Sequence, residues 1–276
     1  MRFFSSNRSI DVRGPKPQKE IFVHPKNKNI SVHVRGYGNT VRVETPDFHG
    51  FIRVTGVNNT VVLEEGVHST LPVSITVGDA STPVHDCEFH IARGAGFANV
   101  TFYLMENGSR IDIGEGTMAS FNVDIWNTDG HLITGEDRVP RPGRELIIGK
   151  HVWIGKDVKI GKNCRIADGC MIGWSSVVAG RFEEPNCLIA GVPAQVRKRN
   201  IHWDLGRVNT YLPDDTPQLY PDWSDPPPPS RFALFFLRPF LKLRLRSLRK
   251  RLTRLQGYRA ESCRRKITYL ENLLSD

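Results

Sequence analysis

The chain has 276 residues, of which 39% are hydrophobic, and its formal net charge at pH 7 is +9. No apolar run approaches the roughly 18 residues that a transmembrane helix needs, and the N-terminus lacks the apolar stretch of a secretory signal, so a cytoplasmic protein is expected. Nine Arg and Lys residues but no acid lie in residues 231–256. The basic excess therefore belongs to one segment, and nucleic-acid binding by the whole protein is not indicated.

The N-terminal part of the chain reads as short strands separated by turns. Residues 1–20 are polar and contain Gly and Pro, which predicts an irregular lead-in. From there on, a Gly/Asn turn followed by a β-branched strand at 36–43 recurs 20 residues later at 56–63. This recurrence predicts irregular coils of a parallel β-helix over residues 21–110, and a separate small β-sandwich is the alternative.

A six-residue period governs residues 111–203. From Ile148 to Val178 an aliphatic residue stands at every sixth position, and Gly or Ala follows each one. A helical period of 3.6 residues would scatter these positions, whereas a parallel β-helix turns each unit into one side of a triangular coil. Cys164 and Cys170 then occupy interior positions, so we expect reduced cysteines that serve packing, not a disulfide framework.

A polar loop interrupts this period at residues 126–147. The aliphatic position Ile148 lies 23 residues after Ile125, and this distance is not a multiple of six. The sequence therefore predicts a loop extruded between two rigid coils. Loops held by a rigid scaffold often carry binding and catalytic residues.

The chain changes character after the last predicted strand. Residues 204–230 include four consecutive prolines and predict an extended linker. Residues 231–276 predict a basic helical tail. A leucine seam in this tail has intervals of four and three and consists of Leu241, Leu245, Leu248, Leu252 and Leu255. Three roles stay open for the tail: packing on protein, which the seam favours, peripheral contact with an anionic membrane through residues 231–256, and binding of an acidic polysaccharide.

A resemblance to a known family rests on two motifs and the repeats between them, Val-Trp-Ile-Gly at 152–155 and Ala-Gly-Val-Pro-Ala at 190–194. They resemble the hexapeptide-repeat acyltransferases, and among these the galactoside, maltose and capsule-modifying sugar O-acetyltransferases. The resemblance covers about residues 111–200. It implies an all-β fold, a left-handed parallel β-helix with an extruded catalytic loop, here followed by the α-helical tail. It also implies a homotrimer that uses acetyl-CoA to acetylate a sugar hydroxyl of a capsular or other surface polysaccharide, or of its precursor.

The same resemblance assigns the catalytic base to His131, in an Asp-x-His run ahead of the Trp-Ile-Gly unit. The acceptor hydroxyl must lose its proton as it attacks the thioester carbonyl, and a neutral imidazole can take that proton near neutral pH. Asp129 would orient the ring or support its charge, and Trp153 would offer a flat apolar surface beside the acetyl group. The alternatives are a solvated loop histidine and a tryptophan packed at a trimer seam.

The resemblance also implies which residues contact CoA. The expected contacts are Gly155, Lys156, Trp174, Ala179, Arg197 and Lys198. A backbone N–H near Gly155 and Lys156 would stabilise the oxyanion. Trp174 stands where the family has a small residue, so it would narrow the groove or stack on the pantetheine arm. Arg197 and Lys198 would face the 3′-phosphate, unless they are only exposed cations. No metal is expected for this reaction.

Two other functions stay open. His85 and His90, with His49 and His68 upstream, invite comparison with the related β-helix carbonic anhydrases, in which three histidines from two chains hold zinc. In that case the chain would be a zinc-dependent hydratase. The other alternative is a non-catalytic β-helix scaffold whose tail carries the function. The tail also leaves a location at the inner face of the membrane as an alternative to a purely cytoplasmic one.

Overall fold

The computed structural model describes residues 8–136 and 139–204, together with isolated helical positions at 242, 245, 246, 249, 267 and 271. The chain divides into two compact units, 1–203 and 204–276. The predicted linker beyond residue 204, most of the predicted tail with its leucine seam, and Cys263 lie outside the described residues, so those predictions stay predictions. No helix in the described part of the chain is long and apolar enough to span a membrane.

The first unit consists of short strands, which are named here in chain order. The first twelve are β1 (Ser9–Arg13), β2 (Glu20–Val23), β3 (Ile30–Tyr37), β4 (Thr40–Val43), β5 (Gly50–Val57), β6 (Thr60–Leu63), β7 (His68–Leu71), β8 (Val73–Val77), β9 (Val84–His85), β10 (Glu88–Ile91), β11 (Gly96–Ala98) and β12 (Val100–Leu104). The next twelve are β13 (Arg110–Ile113), β14 (Met118–Ala119), β15 (Val123–Trp126), β16 (Glu145–Ile148), β17 (Trp153–Ile154), β18 (Lys159–Ile160), β19 (Arg165–Ile166), β20 (Met171–Ile172), β21 (Val177–Val178), β22 (Arg181–Phe182), β23 (Leu188–Gly191) and β24 (Ala194–Lys198).

Three sheets form the sides of a prism. Sheet A has the order β1-β3-β5-β8-β12-β15-β18-β21, with β9 joined to β5, and sheet B has the order β2-β4-β6-β10-β13-β16-β19-β22. Sheet C runs from β7 through β11, β14, β17, β20 and β23 to β24. Among these strands every pair is parallel except β23 with β24, where the chain leaves the coil. The chain therefore winds around the prism, as in a parallel β-helix.

The predicted six-residue period is confirmed in the coils from β16 to β21. Ile148 pairs with Ile166, and Ile154 pairs with Ile172, so one coil takes 18 residues, or three units. These four side chains are buried in the interior, as are those two positions earlier, such as Val152. Each fully buried aliphatic side chain contributes roughly 1.5 to 3 kcal/mol. The stacked aliphatic columns therefore hold the coils together.

The cysteines serve packing, as the sequence predicts. Cys87, Cys164, Cys170 and Cys187 are all buried and free of disulfides. Burial raises the pKa of the Cys164 thiol to about 12. A thiol with so high a pKa remains protonated and unreactive at physiological pH.

The N-terminal coils are longer and less regular, but they belong to the same prism, so the β-sandwich alternative is wrong. Asn39 and Asn59 are fully buried at equivalent corners of adjacent coils. The backbone N–H and Nδ2 of Asn59 donate to Oδ1 of Asn39 at 3.0 and 3.1 Å, and Oδ1 of Asn59 accepts the N–H of Cys87 at 3.1 Å. This ladder satisfies backbone groups that the turns would otherwise leave unpaired, and it explains the 20-residue recurrence.

The predicted extruded loop is also present. Ile125 in β15 pairs with Ile160 in β18, 35 residues later, where a regular coil takes 18, so 17 residues are inserted (35 − 18 = 17). The insertion leaves sheet A after β15 and enters sheet B at β16. It therefore emerges from the corner of the prism between these two sheets.

Candidate active site

Asn127 fixes the root of the loop. It is fully buried directly after β15, and its Nδ2 donates to the carbonyl oxygens of Arg110 at 3.1 Å and Arg144 at 3.3 Å. Its Oδ1 accepts the N–H of Asn163 at 3.1 Å. At the other end of the loop, a Cβ on Gly143 would lie 2.1 Å from the carbonyl oxygen of Asn127, so glycine is required there. The loop therefore begins and ends at fixed points.

Lys162, in the next coil, ties the two halves of the loop together. Its Nζ donates to the carboxylate of Asp129 and to the carbonyl oxygen of Arg141, the latter at 2.7 Å. The side chains of Lys162 and Asp129 are only 23% and 28% exposed. The carboxylate that the sequence suggests as the orienter of the imidazole is therefore engaged by a lysine that sequence reasoning missed.

His131 lines a cavity of about 240 Å³ between the loop and the prism corner. The walls consist of Met105, Glu106, Thr128–Ile133, Pro140–Pro142 and Lys162. Before His131 the chain turns at Gly130, which has a φ of 75° and donates its N–H to Oγ1 of Thr128 at 2.9 Å. The imidazole is exposed, and no described residue forms a hydrogen bond or ion pair with it. Its nitrogens are therefore available to a ligand in the cavity.

Trp153 lies on a different side of the prism, in sheet C, where it pairs with Met118 and Met171. The ring of Trp203, in the exit segment, lies 5.9 Å from that of Trp153. Trp203 also stacks on His151 at 4.0 Å with an interplanar angle of 4°. Nε1 of Trp203 donates to the His151 carbonyl oxygen at 3.0 Å, and Nε2 of His151 donates to the Trp203 carbonyl oxygen at 3.0 Å. Sequence reasoning missed this second tryptophan, whose only signal is an aromatic residue shortly after the last strand.

Gly155, Lys156 and Trp174 lie at the corner between sheets C and A. The N–H of Gly155 donates to the carbonyl oxygen of Ile172 at 2.9 Å, so this candidate oxyanion donor is engaged within the coil. The neighbouring N–H of Lys156 is the other donor that the sequence suggests. A Cβ on Gly155 would lie 2.6 Å from the indole of Trp174, which covers this corner and is itself 69% exposed. The indole therefore offers a large apolar face to a ligand.

The remaining predicted CoA contacts are divided between two places. Ala179 follows β21, at the same corner as the loop. Arg197 and Lys198 lie in β24 at the end of sheet C, where Nε of Arg197 donates to the carbonyl oxygen of Ala190 at 2.9 Å. Within one chain the structure thus groups His131, Asp129 and Ala179 at one corner. It groups the other predicted site residues on sheet C or at its corner with sheet A: Trp153, Gly155, Lys156, Trp174, Arg197 and Lys198.

The histidines of the zinc alternative do not form a ligand set. Nδ1 and Nε2 of His90 lie 3.0 Å from carboxylate oxygens of Asp112 and Glu64, respectively. Because a carboxylate oxygen accepts hydrogen bonds, both ring nitrogens of His90 act as N–H donors. Neither nitrogen then has a lone pair for zinc. His85 lies in β9, against sheet A, and its Nδ1 contacts the carboxylate of Asp86 at 2.9 Å. The geometry therefore favours a charge-paired His90 over a metal ligand.

Comparisons with known proteins agree with this architecture. Residues 146–180 match the family described as bacterial transferase hexapeptide (six repeats). An uncharacterized 24.8 kDa protein in the cps region of Klebsiella pneumoniae is 56% identical over 95 residues, which are 34% of this chain. The match spans only 42% of the length of that curated relative.

Solved structures give matches over most of the chain. The polysialic acid O-acetyltransferase OatWY superimposes with a TM-score of 0.56 at 25% identity, over 76% of this chain and 93% of that one. The polySia-specific acetyltransferase NeuO has a TM-score of 0.45 at 21% identity, over 79% of this chain and 94% of that one. The predicted β-helix and the predicted resemblance are confirmed. Residues 146–180 thus carry the repeat of the bacterial transferase hexapeptide family, and the chain folds as a left-handed parallel β-helix like that of the solved O-acetyltransferase.

Proposed function

We propose that the protein is an acetyl-CoA-dependent O-acetyltransferase that acts on a sugar hydroxyl of a capsular or other surface polysaccharide, or of its precursor. The observation that carries this proposal is the available imidazole of His131, in a cavity formed by a loop that leaves hexapeptide coils. The likeness to a polysialic acid O-acetyltransferase supports O-acetyl transfer as the reaction. The relative in a cps region supports a capsular polysaccharide as the acceptor. The proposal includes a location in the cytoplasm or at the inner face of the membrane, where acetyl-CoA is available.

His131 acts as the general base in this reaction. Its imidazole takes the proton of the acceptor hydroxyl as the hydroxyl oxygen attacks the thioester carbonyl. A C–O bond forms, the oxyanion is stabilised by the N–H of Lys156, and the C–S bond then breaks. The imidazolium returns its proton to the departing thiolate. The products are the O-acetyl ester and free CoA, and the base is restored.

The complete site requires a second copy of the chain, because His131 and Trp153 lie on different sides of one prism. A cyclic trimer would place the loop corner of one copy against sheet C of the next, three times over. Trp174, Val177 and Val192 are 69%, 40% and 71% exposed, and a neighbouring copy would cover such apolar surface. Acetyl-CoA would then lie in the groove between copies, with Trp174 against the pantetheine arm and the cations of β24 near the 3′-phosphate.

The first prediction concerns His131. His131→Ala should lower kcat for acetyl transfer to an oligosaccharide by roughly 10²- to 10⁴-fold, because the general base is lost. Circular dichroism and the oligomeric state should remain unchanged, since the imidazole is exposed and forms no hydrogen bond or ion pair with the described residues.

His85→Ala is the matched control, because His85 is also exposed but does not line the cavity that His131 lines. It should leave acetyl transfer unchanged. A fully active His131→Ala variant would refute the assignment of the base. Zinc-dependent activity that is lost in His85→Ala would instead favour the hydratase, and absence of acetyl-CoA binding in calorimetry would favour the scaffold.

A further inference from the structure

Tyr103 and Trp126 form an aromatic pair on the outer face of sheet A. They are directly paired in the register of β12 and β15, and their ring centroids lie 4.4 Å apart at an interplanar angle of 41°. Their chain neighbours Phe102 and Ile125 point into the interior, so the two rings point outward. Trp126 remains 41% exposed. Neither ring belongs to the core or to the site predicted from sequence.

Both strands of this pair lead into the His131 cavity. Two residues after Tyr103, the chain reaches Met105 and Glu106, which line the cavity. Two residues after Trp126, it reaches Thr128, another lining residue. Because β12 and β15 are parallel, their C-terminal ends lie at the same edge of sheet A. The two rings are therefore the last outward-facing side chains of β12 and β15 before the cavity begins.

The coils beyond Trp126 leave one face of its indole uncovered. Extending the register of β15, β18 and β21 by one residue places Gly161 beside Trp126 and Ala179 beside Gly161. A Cβ on Gly161 would meet no atom nearer than the carbonyl oxygen of Val178 at 3.7 Å, so backbone crowding does not require a glycine there. The indole of Trp126 thus has Tyr103 on one side and the small residues Gly161 and Ala179 on the other.

We propose that Tyr103 and Trp126 are the platform on which a sugar ring of the acceptor stacks while its hydroxyl reaches His131. This inference rests on the proposed function. The apolar face of a sugar ring packs on a flat, rigid aromatic surface, and the hydroxyl groups at the ring's edge remain free to enter the cavity. The acceptor approaches from the N-terminal coils, and the thioester approaches from the C-terminal coils, where Ala179 lies. The two substrates therefore meet at His131 from opposite directions.

The test compares the effect of each substitution on the KM for the acceptor with its effect on the KM for acetyl-CoA. Trp126→Ala should raise the KM for the acceptor oligosaccharide about tenfold, because the stacking surface is lost. The KM for acetyl-CoA, and its slow hydrolysis without acceptor, should stay within about twofold of the wild type. Tyr103→Ala should act in the same direction, and Trp126→Phe should restore most of the acceptor affinity. Phe22→Ala is the matched control, because Phe22 is an aromatic residue that is 38% exposed but lies in β2, at the N-terminal end of sheet B.

A binding measurement on the full chain makes the inference independent of turnover. The probe is oligosialic acid, with a panel of neutral and acidic capsular oligosaccharides beside it. Glycan binding that weakens in Trp126→Ala but not in Phe22→Ala or His131→Ala supports the platform. Equal binding by Trp126→Ala, or an increase in the KM for acetyl-CoA instead of that for acceptor, overturns it. So does dissociation of the oligomer in Trp126→Ala, since the rings would then be buried against another copy.

These results also distinguish this inference from the proposed function. If His131→Ala retains full activity while Trp126→Ala loses glycan binding, the catalytic assignment fails and the platform stands. If His131→Ala is inactive and Trp126→Ala binds and turns over glycan normally, the catalytic assignment stands and the platform fails.

Discussion

Lys162 is the residue on which the shape of the candidate cavity depends. Its ammonium group joins the Asp129 side and the Arg141 side of the loop, although it belongs to a different coil from either. Because this ion pair is more than two-thirds buried, its loss would leave a partly desolvated carboxylate in the cavity that His131 lines. The arrangement of His131 thus depends on a residue that does not need to touch the substrate.

We therefore expect Lys162→Met to lower kcat about tenfold, because the loop that positions the base is released. The β-helix should remain folded, since Lys162 contributes nothing to its interior. Steady-state kinetics and thermal unfolding would measure the two effects. Lys159→Met is a suitable control, because Lys159 pairs with Asp124 in the same coil but away from the loop. Equal losses in both variants would contradict a specific role for Lys162.

The sequence reveals the candidate base but not the side chains that surround it. His131 can be predicted because its motif is contiguous and precedes a regular repeat. By contrast, Lys162 lies 33 residues from Asp129, and Trp203 lies 52 residues from His151. These separations are not multiples of the 18-residue coil, because they include the inserted loop or the exit segment. Contacts of this kind follow from how coils stack and cannot be read from a local motif.

At the scale of elements, three stacked strands carry a charge cluster on sheet B. His90 in β10 contacts Asp112 in β13 and Glu64, directly after β6, so one imidazole links three coils. The hydrogen bond to Asp112 raises the pKa of His90, although burial opposes it. The hydrogen bond from His90 lowers the pKa of Asp112. For Glu64, burial alone would raise the pKa, but the hydrogen bonds from His90 and from the N–H of Arg93 together leave it lowered.

This cluster predicts a bounded pH range of stabilisation. The His90 contribution is fully present below the ordinary imidazole pKa of 6.5 and is lost as pH rises through the raised folded value. The carboxylate contribution is present above the ordinary value of 4.5 for Glu64 and is lost as pH falls through the lowered folded value. The free energy of unfolding of the wild type should therefore exceed that of His90→Gln most between pH 4.5 and pH 6.5. The difference should be about 1 kcal/mol at most, because the groups are partly exposed.

Urea unfolding of both proteins across this pH range measures the difference. His85→Gln serves as the comparison, because His85 has one carboxylate partner and a 55% exposed side chain. Its effect should be smaller at every pH. A His90→Gln difference that stayed constant from acid to alkaline pH would contradict ionic stabilisation by the cluster.

The regular and irregular strands differ in how well the sequence predicts them. From Ile148 onward each side of the prism holds one six-residue unit, so the interior positions can be read directly. In the N-terminal coils the sides have unequal lengths: β3 and β5 have eight residues and β4 and β6 have four. The period there disappears from the sequence, and only the buried Asn39 and Asn59 mark equivalent corners. The 20-residue coil that these asparagines mark could therefore be predicted, but the register and the longer coils that follow could not.

At the scale of the whole molecule, the predicted site residues lie on two sides of the prism, which makes the proposed trimer testable. His131→Ala and Trp153→Ala should each be nearly inactive alone. In a mixed cyclic trimer, one of the three interfaces joins an intact histidine to an intact tryptophan. About three-quarters of the trimers refolded from an equal mixture of the two variants are mixed. The refolded mixture should therefore recover about a quarter of the wild-type activity. Mixing without subunit exchange is the control. No recovery in verified mixed trimers would show that one chain supplies both residues.

The 17-residue insertion leaves the pairing on either side of it undisturbed, since Ile125 still meets Ile160 across it. Asn127 and Gly143 fix its ends, so what lies between them can vary in length and chemistry at little cost to the aliphatic columns beneath. Under the proposed function, changes in this one surface segment can alter the acceptor preference without changing the interior of the prism. The scaffold in this sense is modular: a new specificity does not require a new core.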